Sequence, residues 1–567
     1  MTNIFSRLVA PIAALSAVAL SACGTGNPPT GPDSALPEPF TDMAVAYTGG
    51  VIYTGNPDQP VAGIVMVDTR GRILDVVDYS EAQNHELPSD VLRVDLEGAF
   101  MFPGFVDSHA HLSGIGEREL SLDLAGTASL VELVTRVEAE VDGLDAGRVL
   151  VGRGWIETGW PEGRMPVAAD LDAVAPNHPV ILTRADGHAL VANTAALVAV
   201  GDSADTPDPE GGRIERDADG AATGLLIDTA MGLVAPLIAA PTEADVLAKL
   251  ETGASVYASR GWTGLHNMSV TAQEARLMAQ LSDEGRLPIR VHNGVVPEAF
   301  DLAGARDHET GTITNRAVKL YMDGALGSRG AQLIASYADR PGERGLSLTS
   351  DTDLRAFMER AAEANVQLAI HAIGDLANRR VVEACEETGL CAGQRWRIEH
   401  AQIIAPEDLP RLSEQGLIAS MQPSHAIGDL FFAPDRLGLE RLDGAYAWAD
   451  LLVEGTVIAG GSDAPVEVGS PLIEFYAAVA RTSLDGFQGE GWHPEQAVMR
   501  EEALAMFTSA PAFASFQEDD LGTIEVGKWA DFTVFDRDLM TIPAPEILEA
   551  EAVMTVVKGD VIFRRLE

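Results

Sequence analysis

The sequence predicts an α/β protein built around an eight-stranded (β/α)8 barrel. Eight short apolar runs rich in β-branched residues follow one another, and most are separated by segments with helical spacing, such as 353–365 and 406–415. Strands that alternate with helices form parallel sheets, and eight such units can close into a barrel. The eight runs span residues 101–111, 261–270, 287–296, 317–326, 366–375, 396–402, 416–425 and 456–465.

The start of the chain has the features of an export signal. Residues 1–22 carry Arg7 and an alanine-rich apolar run that is too short for a typical membrane span. The run ends at Cys23 in a stretch that resembles the lipobox of bacterial lipoproteins. That resemblance implies cleavage before Cys23 and lipidation of its new N-terminus, while an ordinary cleaved signal peptide is the alternative. We expect an exported protein that is lipid-anchored in the bacterial cell envelope and faces the periplasm.

The rest of the chain divides into a tether, a barrel and two β-rich flanks. Residues 23–40 are rich in Gly and Pro and predict a flexible tether. The flanks 41–100 and 516–567 alternate apolar and polar residues between tight turns, and each is too small for its own core. They are expected to pair as one β-sandwich. The barrel occupies 101–515, and its long gap at about 112–250 predicts an inserted subdomain after the first strand.

Charge and cysteine content exclude several classes of protein. The formal net charge of −46 over 567 residues argues against nucleic-acid binding, which needs a basic surface. Only Cys385 and Cys391 remain after the predicted leader, which excludes a cysteine-rich zinc site. In an oxidising compartment these two cysteines could form a small disulfide, although spacing alone does not establish the geometry.

Polar side chains lie near the ends of the predicted strands, where the active face of a barrel forms. Seven of the twelve histidines are found there. His109 and His111 are two residues apart on one strand and therefore point to the same side. They can form a metal clamp with His371, His400 and Asp463, since imidazole and carboxylate suit zinc and similar divalent ions. A lone buried histidine is more often a core residue, so the prediction depends on the whole set. The seven are His109, His111, His266, His292, His371, His400 and His425.

The remaining motifs resemble those of the family-3, YtcJ-like group of the amidohydrolase superfamily. They occur in the family's order and cover nearly everything after the tether. The resemblance implies a distorted (β/α)8 barrel and a centre of one or two zinc or other divalent ions that hydrolyses amide or related bonds. The motifs are PGFVDSHAH (103–111), GRGW (152–155), DGHALVANTAAL (186–197), VKLYMDGALGSRGA (318–331), HAIGD (371–375), IEHAQ (398–402), GSDAP (461–465) and GTIEVGKWADFTVFD (522–536).

The same resemblance places Lys319 where such enzymes often carry a carboxylated lysine that bridges two metals. An unmodified lysine that pairs with Asp323 or with substrate is the alternative. In the mechanism that we expect, Asp463 takes a proton from metal-activated water and returns it to the leaving nitrogen. His188 would polarise the carbonyl group of the substrate, although a structural role is the alternative.

Further motif residues are candidates for substrate contact. Trp155 is expected to form an apolar wall, and Ser328 with Arg329 to contact a substrate carboxylate; a core tryptophan and a solvated turn are the alternatives. His425 and Asp429 follow the seventh strand and are expected beside the site.

The predicted activity is metal-dependent hydrolysis of a C–N bond in a small molecule. Ester, lactone or carbamate hydrolysis would use the same site. A lipid-anchored binding protein without catalysis and a structural envelope lipoprotein are the alternatives from other classes. A homodimer is compatible with the sequence, which does not fix the oligomeric state.

Overall fold

The structure is a computed structural model that describes residues 43–565, apart from 90, 146, 158–159, 185–188, 202–205, 210–211, 239–240, 305 and 308–310. The predicted leader and tether, with Cys23, lie outside the described residues, and so does His188. No described helix is long and apolar enough to cross a membrane.

The predicted eight-stranded parallel barrel is confirmed. All eight strands occur in the predicted order, and each pairs in parallel with the next within one sheet. All eight differ in extent from their predicted runs. The largest differences at the carboxyl ends are in the fourth strand, which ends at Tyr321 instead of 326, and in the eighth, which ends at Gly460 instead of 465. Residues 101–103, predicted as the start of the first barrel strand, belong to the strand Phe100–Pro103 of a different sheet. The strands are Phe105–Ala110, Trp262–Val270, Arg290–Val295, Ile313–Tyr321, Gln367–Ala372, Arg397–His400, Ile418–Met421 and Ile458–Gly460.

Hydrogen bonds close the barrel between its first and last strands. The Asp463 N–H donates to the His109 carbonyl at 2.6 Å, and the His111 N–H donates to the Ala464 carbonyl at 2.8 Å. Ser462 donates its backbone N–H and its hydroxyl to the two oxygens of Asp107, at 2.9 and 2.6 Å. The closure therefore joins the first two histidines directly to the loop that carries Asp463.

Helices surround the barrel and occupy its loops. The helices Leu112–Leu120 and Glu243–Arg260 pack closely, because a Cβ at Gly116 would lie 1.7 Å from the Lys249 carbonyl oxygen. Ser350 and Thr271 cap two of the outer helices by accepting hydrogen bonds from backbone N–H groups. The other helices of the barrel region are Ala272–Asp283, Phe300–Ala303, Asp351–Ala364, Asp375–Thr388, Leu409–Glu414, Pro423–Asp429, Ala433–Leu437, Trp448–Val453, Pro471–Ala480, Arg500–Phe507 and Ser509–Ala514.

The segment after the first barrel strand forms a separate six-stranded sheet with its own apolar cores. Three helices belong to the same segment: Leu130–Val141, Ala168–Asp172 and Thr194–Ala199. In sheet order the strands are Gly212–Arg216, Ala222–Asp228, Ala189–Ala192, Val180–Arg184, Leu150–Trp155 and Leu122–Asp123.

The two flanks of the chain share one nine-stranded sheet. Phe100–Pro103 pairs antiparallel with Phe532–Phe535, and one apolar core mixes residues of both flanks. Thr533 attaches this sheet to the barrel by accepting from the Phe105 N–H and donating to the Gly261 carbonyl. The helix Ala544–Ile547 lies between Phe532–Phe535 and the next strand of the chain. The other strands are Met43–Thr48, Val51–Tyr53, Val61–Asp68, Ile73–Asp78, Leu92–Asp95, Ala552–Val557 and Asp560–Arg564.

The two cysteines are paired. Cys385 near the end of the helix Asp375–Thr388 forms a disulfide with Cys391, with their Cα atoms 5.4 Å apart. The structure thus supplies the geometry that the spacing of the cysteines left open.

Candidate metal centre

The polar residues at the carboxyl ends of the barrel strands surround one cavity of about 790 Å³. Five of the seven predicted strand-end histidines line it, together with Lys319 and Asp463. The residues around it are His109, His111, Lys319, Tyr321, Ala325, Leu326, Gly327, Ser328, His371, Ile373, His400, Gln402, His425, Asp429, Phe432, Arg436, Asp463, Val466 and Glu467.

His109, His111 and Asp463 form the first group of candidate ligands. Their ligand atoms all lie within 4.8 Å of one another. Oδ1 of Asp463 is 3.1 Å from Nε2 of His111 and 3.5 Å from Nε2 of His109. Two imidazoles and a carboxylate at these distances match a divalent-metal site.

His371 and His400 extend the group across the cavity. The ring centroid of His400 lies 4.6 Å from that of His109 and 4.5 Å from that of His371. Nε2 of His371 is buried and has no hydrogen-bond partner among the described residues. An unpartnered nitrogen beside three further imidazoles is what a metal ligand leaves when no ion is bound, so the residues present fit a metal.

Neighbouring oxygens orient three of these imidazoles. Nδ1 of His109 lies 2.5 Å from Oε2 of Glu399, Nδ1 of His111 lies 3.1 Å from the Met268 carbonyl, and Nδ1 of His400 lies 2.8 Å from Oε1 of Gln422. An oxygen acceptor at Nδ1 assigns the hydrogen to that atom and leaves the lone pair on Nε2, as metal-binding histidines require.

Burial and neighbouring charges favour the protonation states of a metal site. Burial holds the pKa of His400 well below its usual range, and the neighbouring His371 and His109 add to this effect. Burial alone would raise the pKa of Asp463, but its contact with Nε2 of His111 and the nearby His109 and His400 bring that pKa well below the usual value. Neutral imidazoles and an ionised carboxylate are the forms that bind a metal.

Lys319 lies inside the site and is only 1% exposed. Its Nζ is 3.3 Å from Nε2 of His109. Burial lowers the pKa of Lys319 to about 8, against the attraction of Glu399 and Asp463. The structure therefore places this lysine where the sequence predicted it, next to a candidate ligand and with a weakened hold on its proton.

Backbone strain is concentrated at the same place. His400 has a φ of 74° and Asp463 a φ of 59°, which residues other than glycine seldom adopt. Such conformations cost free energy and tend to occur at functional sites. His400 is the last residue of its strand and Asp463 follows the eighth strand, and both side chains line the cavity.

Sequence reasoning missed a buried pair that supports the ligands. Glu399 holds His109 and also pairs with Arg397, whose Nε lies 2.8 Å from Oε1 of the carboxylate. Arg397 and Glu399 are fully buried, and Arg397 also donates to the Ser108 carbonyl at 2.6 Å. Charged residues at alternate positions of a buried strand, in the segment 397–400, were the signal that could have indicated them.

Two predicted substrate contacts do not reach the cavity. Trp155 is fully buried in the core of the inserted segment and donates its Nε1–H to the Leu182 carbonyl at 2.8 Å. Arg329 forms a two-point ion pair with Asp339, at 3.1 and 2.6 Å. Core packing accounts for Trp155, and the ion pair with Asp339 accounts for Arg329.

Ser328 and Asp323 have different positions. Ser328 lines the cavity. Asp323 is fully buried and accepts backbone N–H groups of Ile373, Gly374 and Gln332 at 3.0, 2.8 and 2.7 Å, so its oxygens serve mainly to hold the loops. Oδ1 of Asp323 also lies 3.5 Å from Nε2 of His371.

His425, Asp429 and Glu467 line the side of the cavity next to Asp463. Nε2 of His425 lies 3.7 Å from Oδ2 of Asp463 and 3.9 Å from Oε1 of Glu467. The ligand atoms of His400, His425 and Asp463 also lie within 4.8 Å of one another. Glu467 was not a candidate in the sequence because it lies in a loop beyond the GSDAP motif.

The comparisons with known proteins agree with this geometry. The pattern of the amidohydrolase family matches residues 93–563. The protein YtcJ of Bacillus subtilis, named as an amidohydrolase, is 32% identical over 92% of this chain and all of its own length. The N-substituted formamide deformylase of Arthrobacter pascens is 30% identical over 87% of this chain and 94% of its own.

A solved structure of similar fold is also that of a hydrolase. An uncharacterized metal-dependent hydrolase of Pyrococcus horikoshii superposes with a TM-score of 0.73 and is 28% identical, over 88% of this chain and 99% of its own. The barrel, the cluster of candidate ligands and these relatives all indicate a metal-dependent hydrolase.

Proposed function

The chain belongs to the amidohydrolase family, and we propose that it hydrolyses C–N bonds of the amide type in small molecules, with Asp463 as general acid and base. The family and the similar metal-dependent hydrolase structure indicate that the chain is a metal-dependent hydrolase. The observation that carries the proposal is the convergence of four histidines, Lys319 and Asp463 on one cavity.

His109, His111, His371, His400 and Asp463 would hold the metal, which we propose to be one or two zinc ions. A bound divalent ion of this kind would acidify a water molecule and polarise the carbonyl group of the substrate. Imidazole and carboxylate ligands without thiolates are compatible with zinc and also with other divalent metals. Glu399, Gln422 and the Met268 carbonyl keep three of the imidazoles in the required orientation.

Asp463 is suited to proton transfer because its two oxygens face different neighbours. Oδ1 points toward His109 and His111, and Oδ2 points toward His425 and the open cavity. Oδ2 can therefore accept a proton from water while Oδ1 stays among the ligands. The same oxygen then returns the proton to the departing nitrogen, which leaves as an amine.

Lys319 is proposed to carry a carboxyl group on Nζ. The lysine ammonium first loses a proton, and the neutral amine then attacks CO₂, forming an N–C bond and releasing a second proton. The cation thereby becomes a carbamate anion with two ligand oxygens. The support is the burial of Nζ, its lowered pKa of about 8 and its 3.3 Å distance from a candidate ligand. A buried lysine needs such a change or a close partner, since an isolated buried charge is costly.

The amide class of substrate rests on the relatives. The Arthrobacter pascens relative is named as a deformylase of N-substituted formamides. Esters, lactones and carbamates react by the same attack on a carbonyl group, so they are the competing substrates. His188 lies outside the described residues, and its proposed role, to polarise the carbonyl, stays a prediction.

The test combines metal analysis with a substrate panel. Purified protein should contain zinc, and it should hydrolyse N-substituted formamides or acetamides faster than the matched esters. Asp463→Asn should lower kcat by about 10²- to 10⁴-fold. The exposed Asp301→Asn is the matched control and should keep full activity. Faster ester hydrolysis would change the bond assignment, and protein that binds no metal after reconstitution would reject the mechanism.

We also propose that the chain is exported and lipid-anchored through Cys23. The Cys385–Cys391 disulfide supports an oxidising compartment. Labelling cells with a radioactive fatty acid should mark the wild-type protein and leave Cys23→Ser unlabelled. Equal labelling of both, or of neither, would reject the anchor.

A further inference from the structure

The cavity has a second polar surface that the catalytic proposal does not use. Asp429 and Glu467, called here the acidic wall, line it beside His425. We propose that the acidic wall binds a cationic group of the substrate, such as an alkylammonium, and so selects amides that carry a positive charge. This inference rests on the proposed function, because it names the substrate class of the same site.

The two carboxylates come from adjacent loops of the barrel. Asp429 ends the helix Pro423–Asp429 after the seventh strand, and Glu467 follows the eighth strand. Oε1 of Glu467 would lie 3.8 Å from a Cβ at Gly428, which shows that it reaches the chain next to Asp429. The Tyr446 hydroxyl donates to Oδ2 of Asp429 at 2.6 Å and fixes that carboxylate.

Among the described residues, no lysine or arginine forms an ion pair with either carboxylate. Arg436 lines the same cavity, but its guanidinium pairs with Asp339 and its Nε donates to the Gly327 carbonyl at 3.2 Å. Lys319 lies beside His109. Burial without a counter-charge raises the pKa of Asp429 to about 7 and that of Glu467 to about 8. A bound cation would supply the missing charge and keep both groups ionised, so the acidic wall favours a cation over a neutral or anionic group.

His425 provides an independent sign that a ligand completes this surface. The residue is only 8% exposed, and its Nε2 has no hydrogen-bond partner among the described residues. Nδ1 accepts from the Gln402 side-chain N–H at 3.0 Å, so the hydrogen of the ring lies on Nε2. Nε2 is directed into the cavity between Asp463 and Glu467, at 3.7 and 3.9 Å. A buried donor without an acceptor is costly unless a ligand or water satisfies it. An ammonium group has no acceptor for this hydrogen, so the carbonyl oxygen of the same amide would accept it while the ammonium binds the two carboxylates.

The position of the acidic wall indicates how far the cation of the substrate lies from the bond that is cleaved. One imidazole, that of His425, separates Glu467 from Asp463. Phe432 and Val466 are the apolar neighbours on this side of the cavity and can cover a short methylene chain. We therefore expect an amide whose departing amine carries a second, charged nitrogen a few carbons away.

The first experiment compares matched substrates on the zinc-loaded full-length enzyme. N-(ω-aminoalkyl)formamides with two to six methylenes are each paired with the neutral N-alkylformamide of the same length. At least one cationic member should exceed its neutral partner in kcat/KM by about tenfold or more. Equal values at every chain length would overturn the proposal.

Variants then assign the preference to residues. In the double variant Asp429→Asn, Glu467→Gln, the cationic preference should fall to about twofold or less, while kcat/KM for the neutral formamide changes little. Glu440→Gln, an exposed carboxylate of the same region, is the control and should keep the preference. A preference that persists in the folded double variant, or zinc loss in that variant alone, would overturn the proposal.

A binding measurement separates this inference from the proposed function. If no formamide is hydrolysed, the proposed function fails, but the acidic wall is still tested by calorimetry with butyltrimethylammonium, a cation without a lone pair for a metal. Saturable binding that weakens about tenfold or more in the double variant would support the acidic wall. Absence of binding to the wild-type enzyme, or equal binding to both proteins, would reject it.

Discussion

Two sets of histidines share the interior of the same barrel but have different partners. His109, His111, His371 and His400 line the open cavity at the carboxyl ends of the strands. His266 and His292 lie toward the other end, with ring centroids 4.9 Å apart. Nδ1 of His266 lies 2.6 Å from the guanidinium of Arg397, and Nδ1 of His292 lies 2.7 Å from the Thr314 hydroxyl.

The difference shows that access to the cavity, together with partner chemistry, separates a ligand from a core histidine. Nε2 of His292 is also buried without a hydrogen-bond partner among the described residues, but it does not line the cavity. In the upper set, oxygen acceptors occupy Nδ1 of His109, His111 and His400 and leave each Nε2 for an ion. In the lower set, the donor Arg397 occupies a ring nitrogen of His266, which then has no free lone pair at that atom. The same arginine also holds Glu399, so one buried residue separates the two sets.

The largest expected effect on zinc content and activity comes from replacing one histidine of each set by asparagine and comparing the two variants. His109→Asn should remove bound zinc and lower kcat/KM by at least about 10²-fold, since loss of an outer partner alone already costs 10- to 100-fold. His292→Asn should keep the zinc content, because this residue lies outside the cavity, and should cost about 1–3 kcal/mol in the free energy of unfolding. Elemental analysis, initial rates and thermal melts measure the three quantities. Zinc loss in His292→Asn would contradict the division into two sets.

Substitution of Glu399, which contacts both His109 and Arg397, should have a smaller effect. Glu399→Gln keeps the shape of the side chain but leaves Arg397 without its anion and weakens the hold on Nδ1 of His109. Zinc affinity should fall by about 10- to 100-fold. Competition with a chelator measures the affinity, and Glu407→Gln, a carboxylate of an exposed ion pair, is the control. An unchanged zinc affinity would show that Glu399 serves the fold alone.

Much of this architecture could be predicted from the sequence. The eight strands follow from apolar runs that end in polar residues, and the histidines at their ends predict one site. The depth of a side chain along the barrel axis could not be predicted, because strand periodicity gives the face and not the level. His266 and His292 therefore belonged to the same predicted group as the ligands. Glu467 and the core position of Trp155 depend on loop paths and packing, which local sequence patterns do not determine.

Lys319 gives a third test of the upper set, because it lies beside His109 in the cavity. If Lys319 is carboxylated, Lys319→Ala should lower the zinc content from about two equivalents to one or none. Elemental analysis of the two proteins, grown and assayed with bicarbonate, measures the change. One equivalent in both proteins would make the centre mononuclear and the lysine a bystander.

The smallest effect concerns the pH dependence of stability. Burial and the charge of Arg397 lower the pKa of His292 to about 3, whereas an unfolded histidine titrates near 6.5. Between pH 6.5 and about 3, His292 binds a proton in the unfolded chain but not in the folded chain. The contribution of His292 to the free energy of unfolding is therefore fully present above pH 6.5 and is lost as the pH falls toward 3. The loss approaches about 1.4 kcal/mol per pH unit, or about 2 kcal/mol at pH 5.

His292→Gln removes that contribution, so the metal-free variant should lose about 2 kcal/mol less than the metal-free wild type between pH 7 and pH 5. Urea unfolding at the two pH values measures the difference, with chelator present so that metal release does not enter. His85→Gln, which changes an exposed histidine, should follow the wild type. If wild type and His292→Gln lose the same stability, the lower histidines are not held neutral by their surroundings, and the contrast between the two sets reduces to access to the cavity.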